Sequence, residues 1–312
     1  MRPSAHADRE RVAVLGAGTM APGIAAAFAV AGHDVVLWSR RPEAAAEAHA
    51  EAGRRARFLV ERELAPGPAP DDAFSVAERL DDVAGVDVVV EAIAEQLQAK
   101  RDLLAQLEAL LRPDALVATN TSGLRVTDIA AELAAPERVV AMHFWNPAHL
   151  MPIVEVGGGE RTAPETVERA VELARAIGKQ PVRVEREVLG FLGTRLQQAV
   201  VREAIALVQA GVASAEDVDL AVRTSFGIRF PVTGPLESAD LTGLDVIAAI
   251  HEYLLPDLDR STEPQPALRE RVAAGDLGVK SGRGFHDWGV RDADDLIRRR
   301  DEELVRRLRL TT

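Results

Sequence analysis

One stretch, Arg11 to Trp38, restricts the fold of this chain more than any other. Its apolar run RVAVL passes straight into a glycine turn, then into the alanine-rich pattern GIAAAFAV and a second apolar run, DVVLW. Such runs suit strands buried in a sheet, and a helix between two of them joins them in parallel. Further runs follow at Asp87 to Ile93, Ala115 to Thr119, Arg138 to Phe144 and Pro181 to Glu185, separated by helical patterns such as Gln96 to Leu111. Strands alternating with helices predict an α/β architecture with a doubly wound sheet.

Departures from that rhythm set the domain plan. The helical pattern from Pro42 to Leu64 runs into PGPAP, Pro66 to Pro70, whose prolines forbid continuation, and a projecting helical hairpin is expected there. After Val188 the strand patterns fade. Phe191 to Gly211 repeats apolar positions at helical spacing and stops on a glycine. Residues 1–187 are therefore expected to carry the sheet, and residues 188–312 a smaller all-helical domain. The terminal run RDADDLIRRRDEELVRRLRL pairs opposite charges at helical spacing and predicts a solvated helix.

In VAVLGAGTMAPG, Gly16, Gly18 and Ala21 match the spacing of a dinucleotide fingerprint with alanine in the third place. Gly16 permits the tight turn, Gly18 lets backbone approach a pyrophosphate, and small Ala21 lets helix and strand pack closely. The helix N-terminus then faces the phosphates, so the first domain is expected to be Rossmann-type, with Gly16, Gly18, Met20 and Ala21 at the cofactor. An acidic residue after the second strand would bind the ribose hydroxyls of NAD. This chain has Ser39, Arg40 and Arg41 instead, which suits a 2′-phosphate and favours NADP(H) over NAD(H). The competing reading is ordinary surface charge at the start of a helix.

Downstream, MHFWNPAHLMPIVEV places His143 and Glu155 around an Asn-Pro turn. Histidine exchanges a proton near neutral pH, and a carboxylate partner can fix its tautomer; reducing a ketone by hydride needs such a group. Taken singly, His143 reads as a satisfied core histidine and Glu155 as an exposed strand end. His33, His49 and His6 read as structural or solvated, and His149, in PAHLMP, as either a substrate contact or a turn cap. A net charge of −12 disfavours nucleic acid, leaving small molecules as partners. With no cysteine there is no thiolate nucleophile or ligand, and no metal site is expected. The start, MRPSAHADRER, lacks the apolar core of a signal peptide, and no apolar run could span a membrane, so a cytoplasmic protein is expected.

Together the glycine loop, VVVEAIAEQLQAK, TNTSG, HFWNPAHLMPIVEV, GFLGTR and KSGRGFHDW resemble, in order and spacing, the 3-hydroxyacyl-CoA dehydrogenase family over nearly the whole chain. The resemblance implies that His143 is the catalytic acid/base, Glu155 its partner and Ser122 a hydroxyl contacting the substrate carbonyl and the cofactor. It also implies that Glu95, Lys100, Asn120, Asn146 and Lys280 line the nicotinamide or ribose. Thr194 stands where the family's GFxxNR motif carries asparagine, replacing an amide donor and acceptor by one short hydroxyl.

The first substrate reading is a 3-hydroxyacyl-CoA, with Arg54, Arg55 and Arg57 of the expected hairpin available for phosphates and ADLTGLD, Ala239 to Asp245, similar to the acyl-CoA branch of the family. The second is a free keto or hydroxy acid, because AHLMPIVEV and FGIRFPVTGPLE are similar to carnitine and gulonate dehydrogenases; Arg229 would then pair with a carboxylate. A third, of another class, is a cofactor-binding protein without turnover. The resemblance further implies a homodimer formed through the helical domain.

Overall fold

A computed structural model describes residues 9–65, 67, 69 and 72–311; His6 and the prolines Pro66, Pro68 and Pro70 of the helix stop lie outside the described residues. Eight strands, β1 (Arg11–Leu15), β2 (Asp34–Trp38), β3 (Phe74–Ala77), β4 (Val88–Glu91), β5 (Leu116–Thr119), β6 (Val139–Phe144), β7 (Ile153–Gly158) and β8 (Gln180–Arg183), form one sheet. Their order is β3-β2-β1-β4-β5-β6-β7-β8. All neighbours pair in parallel except β6 and β7, which are antiparallel. Val12 and Val14 enter one apolar core with Ile24 and Phe28, while Ala13 and Leu15 enter the other with Leu104 and Leu107. The sheet is thus buried on both faces, as its unalternating apolar runs require, and the doubly wound α/β expectation is borne out.

Five helices accompany the strands: α1 (Ala21–Val30), α2 (Pro42–Glu61), α3 (Leu97–Glu108), α4 (Val126–Ile129) and α5 (Pro164–Ala176). Small side chains let α1, buried along almost its whole length, pack closely on the alanine stripe Ala44, Ala48 and Ala52 of α2. The chain extends the sheet from β1 through β2 to β3, then returns to place β4 on the other side of β1. That reversal makes the carboxyl ends of β1 and β4 a topological switch point, the usual ligand position in open α/β sheets.

The expected helical hairpin is instead a single helix. Among the described residues, the next strand or helix after α2 is the edge strand β3, whose half-exposed FSVA gives no apolar run to announce it. The chain divides into two compact units, one comprising residues up to Thr194 together with Arg299 onward, the other Arg195–Arg298. The second is helical, with most of α6 (Gly193–Gln209), then α7 (Ala215–Thr224), α8 (Phe226–Arg229), α9 (Pro235–Thr242), α10 (Leu244–Leu254), α11 (Pro266–Ala274) and the start of α12 (Ala293–Thr311). From Arg299 onward α12 packs with the first unit, not with the expected helical domain. Leu304, Val305 and Leu308 close on Leu59 and Leu150, so this helix is solvated on one face only. No described helix is long and apolar enough to cross a membrane.

Candidate active site

The turn after β1 can be made only by glycine. Gly16 has φ +127°, and a Cβ there would stand 2.4 Å from the Ala92 carbonyl oxygen. Its N–H donates to the Trp38 carbonyl at 2.8 Å, tying the loop to the end of β2. Gly18 faces open space, Ala21 is fully buried in the first turn of α1, and the Met20 carbonyl accepts from the Gly23 and Ile24 amides. Bare backbone at a helix N-terminus beside this switch point fits the pyrophosphate of a dinucleotide. Ser39, Arg40 and Arg41 follow β2 directly; both arginines are exposed, and Ser39 Oγ accepts from the Arg41 amide at 3.3 Å. Arg54 is held in an exposed pair with Glu51, while Arg55 reaches from α2 to the Thr19 carbonyl at 3.2 Å.

The antiparallel ladder sets His143 of β6 directly opposite Glu155 of β7. His143 Nδ1 lies 2.9 Å from Glu155 Oε2, and its Nε2 lies 3.1 Å from Ser122 Oγ. A carboxylate only accepts, so Nδ1 carries a proton and Nε2 is the nitrogen free to change state. Glu155 is fully buried, overturning its reading as an exposed strand end. It also accepts from Trp145 Nε1 at 3.0 Å and from the Leu192 and Gly193 amides at 2.8 and 2.9 Å. Burial works to raise this carboxyl, but the bonds from His143, the Gly193 amide, Trp145 and the Leu192 amide outweigh it and hold it at about 2. Phe191 stacks on the His143 ring at 5.0 Å between centroids, and Thr194, partly buried, sits in the first turn of α6.

Ser122 is placed by a second network. Glu95 Oε1 accepts from Thr121 Oγ1 at 2.6 Å and from the Ser122 and Gly123 amides at 2.9 Å each. Burial raises Glu95, but the Thr121 hydroxyl, Lys100 and those amides outweigh it and hold it below the usual carboxylate range. Lys100 is fully buried, 3.4 Å from Glu95 and bonded to both oxygens of Glu91 at 2.8 and 2.9 Å. It therefore sits beneath the loop, not on its surface. Thr119 Oγ1 and the Ile93 amide also donate to Glu91. Sequence reasoning missed Glu91, although a glutamate closing the apolar run VVVE was a usable signal. Asn120 Oδ1 accepts from the Phe144 amide at 2.8 Å, joining β5 to β6, and Asn146 is exposed at the following turn.

His149 does not cap its turn with its ring, which lies edge-on to Phe58. Burial pushes it down to about 4, with Arg55 and Lys179 adding repulsion. The turn is instead held by Lys179, whose ammonium donates to the Ala148, Met151 and His149 carbonyls and is pulled down to about 7 by burial. Nothing in the local sequence around Lys179 announced this. Arg229 ends α8, and Lys280 lies in a single 3₁₀ turn, Val279–Ser281; both belong to the second unit.

Residues 11–188 match the family model for the NAD binding domain of 3-hydroxyacyl-CoA dehydrogenase, and residues 190–288 match the model for its C-terminal domain. A probable 3-hydroxybutyryl-CoA dehydrogenase of Bacillus subtilis is 38% identical over 288 residues, covering 89% of this chain and 97% of its own. L-carnitine dehydrogenase of Streptomyces griseus is 35% identical over 317 residues, covering 99% of this chain and 92% of its own. A crystal structure of 5-formyl-3-hydroxy-2-methylpyridine 4-carboxylic acid 5-dehydrogenase, an NAD+ dependent dismutase, superposes with a TM-score of 0.91 at 34% identity, over 97% of this chain and 98% of that one. The chain belongs to the 3-hydroxyacyl-CoA dehydrogenase family, oxidoreductases acting on CH–OH donors.

Proposed function

We propose that this chain is an NADP(H)-preferring oxidoreductase that interconverts a carbonyl and a hydroxyl in a small free acid, with His143 as its proton-transfer group. The observation that carries the reading is the His143 ring held between Glu155 and Ser122. The nicotinamide, when bound, supplies or takes the hydride. In the reducing direction His143, as imidazolium, gives its Nε2 proton to the carbonyl oxygen; in the oxidising direction Nε2 takes the hydroxyl proton. Glu155 keeps the ring in the orientation that leaves Nε2 outward. Ser122 Oγ donates to the same oxygen as its charge changes, steadied from behind by Glu95, Lys100 and Glu91. Thr194 offers a hydroxyl in place of the family's amide, and Asn146 is assigned to the cofactor.

A free acid is favoured over a CoA thioester because of the last helix. The family models stop at residue 288, and the 3-hydroxybutyryl-CoA relative leaves about a tenth of this chain unmatched. The L-carnitine relative, at 99%, necessarily spans α12, which packs on Leu150 just after the catalytic strand. The exposed Arg40 and Arg41 support NADP(H). Two comparisons test both points: acetoacetate against acetoacetyl-CoA with NADH and NADPH, and L-carnitine against 3-hydroxybutyryl-CoA with NAD+ and NADP+. The free acids with the phosphorylated cofactor should show kcat/KM at least about tenfold higher than the thioesters. The reverse preference would return the chain to the acyl-CoA reading. Replacing both Arg40 and Arg41 by alanine should cut the NADP(H) preference by about tenfold or more. Cofactor binding without turnover of any of these would favour the silent binding protein instead.

A homodimer through the helical unit belongs to the same reading. Among the described residues, that unit buries only Ile205, Val218 and Ala267 of its apolar side chains, and it leaves Val232, Leu236, Leu241 and Tyr253 more than three-quarters exposed. Sedimentation should show a single dimeric species at micromolar concentration; a monomer there removes the claim.

A further inference from the structure

We propose that Trp145 is a positioning residue that sets the strength of the bond between His143 and Glu155, and that position 193 is glycine in order to admit it. The Trp145 indole N–H donates to Glu155 Oε2, the same oxygen that receives His143 Nδ1. The other oxygen is taken by the amides of Leu192 and Gly193. No solvent reaches the carboxylate, so these donors share its charge among them, and the indole holds a part that would otherwise fall to the imidazole. Among the described residues, a phenylalanine at 145 would leave His143 as the one partner of Oε2. The carboxylate would then pull harder on the Nδ1 proton and keep the ring charged to higher pH.

The glycine supports this from the other side. A Cβ at 193 would stand 2.5 Å from Trp145 Cζ2 and 3.2 Å from Cε2, whereas the backbone there is not in the left-handed region that calls for glycine. The three nearest atoms to such a Cβ all belong to the indole ring. A larger residue would displace the ring, and with it the bond to Glu155. The charged groups on the elements around the pair hold partners of their own: Glu95 at the Ser122 loop, Lys100 on Glu91, Arg183 of β8 on Glu168 and Glu185, and Arg195 in the first turn of α6, which is not free either.

The proposal rests on the reading of His143 as the proton-transfer group, and the test separates the two. The full chain, labelled with nitrogen-15 at histidine, is titrated by NMR as the unmodified protein, Trp145→Phe, Gly193→Ala and the double variant. In Trp145→Phe the His143 midpoint should move up by about 0.5–1 pH unit. Gly193→Ala should shift it the same way in the unmodified background and not at all on top of Trp145→Phe. Should Trp145→Phe fail to fold, the shift in Gly193→Ala alone decides. Coincident midpoints, or an equal Gly193→Ala shift in both backgrounds, overturn the proposal. Turnover of acetoacetate with NADPH by His143→Ala is read separately: retained activity there sinks the proton-transfer reading while the midpoint shift still tests Trp145.

Discussion

Glu91 and Glu155 are both fully buried in the first unit, yet they are held in opposite ways. Glu91 meets the Lys100 ammonium with both oxygens, and Thr119 and the Ile93 amide complete its shell. Among the described residues neither lysine nor arginine meets Glu155; it faces two amides, an indole and an imidazole. A carboxylate closed on an ammonium has its charge met by a full opposite charge, so it serves the fold. One met by dipoles and a titratable ring responds when that ring gains or loses a proton, which is what an active site requires.

Variants can break or sharpen this contrast. The largest effect is expected from Glu155→Gln, whose amide must turn donor hydrogens toward existing donors and so loosens the His143 ring; turnover should fall roughly 10³- to 10⁴-fold in steady-state assays. Next comes Glu91→Gln, which removes the carboxylate bonded to the buried Lys100 ammonium and leaves it with Glu95 at 3.4 Å. Chemical unfolding should show a loss of about 3–5 kcal/mol, and adding Lys100→Met should recover most of it. Ser122→Ala removes one hydroxyl and should lower kcat about tenfold in steady-state assays. The smallest effect concerns acid. Glu155 is held at about 2 against an ordinary 4.5, so its stabilisation is complete above pH 4.5 and fades as pH falls toward 2. Urea unfolding across that window should lose part of its pH slope in Glu155→Gln.

The sheet was legible because buried strands announce themselves locally, and the glycine loop because a turn of that shape tolerates few residues. β3 was not, since an edge strand of four residues owes its place to pairing with β2 and not to its own composition. His143, Glu155 and Ser122 could be picked out from their motifs, but their meeting depends on the antiparallel return of β7, a long-range pairing that periodicity does not encode. The same holds for the supporting residues. Lys179 and the match of Trp145 to Gly193 become visible only once distant segments are packed together, whereas Glu91 was marked locally by the apolar run that it closes. Terminal charges likewise hid the apolar face of α12 that covers Leu59 and Leu150.

The contrast between the two carboxylates is tested most directly by measuring turnover and unfolding free energy on the same preparations of Glu155→Gln and Glu91→Gln. The two rankings should cross, with Glu155→Gln the worse in turnover and Glu91→Gln the worse in stability. A single ranking in both measurements would contradict the division between a charge kept for chemistry and a charge kept for the fold.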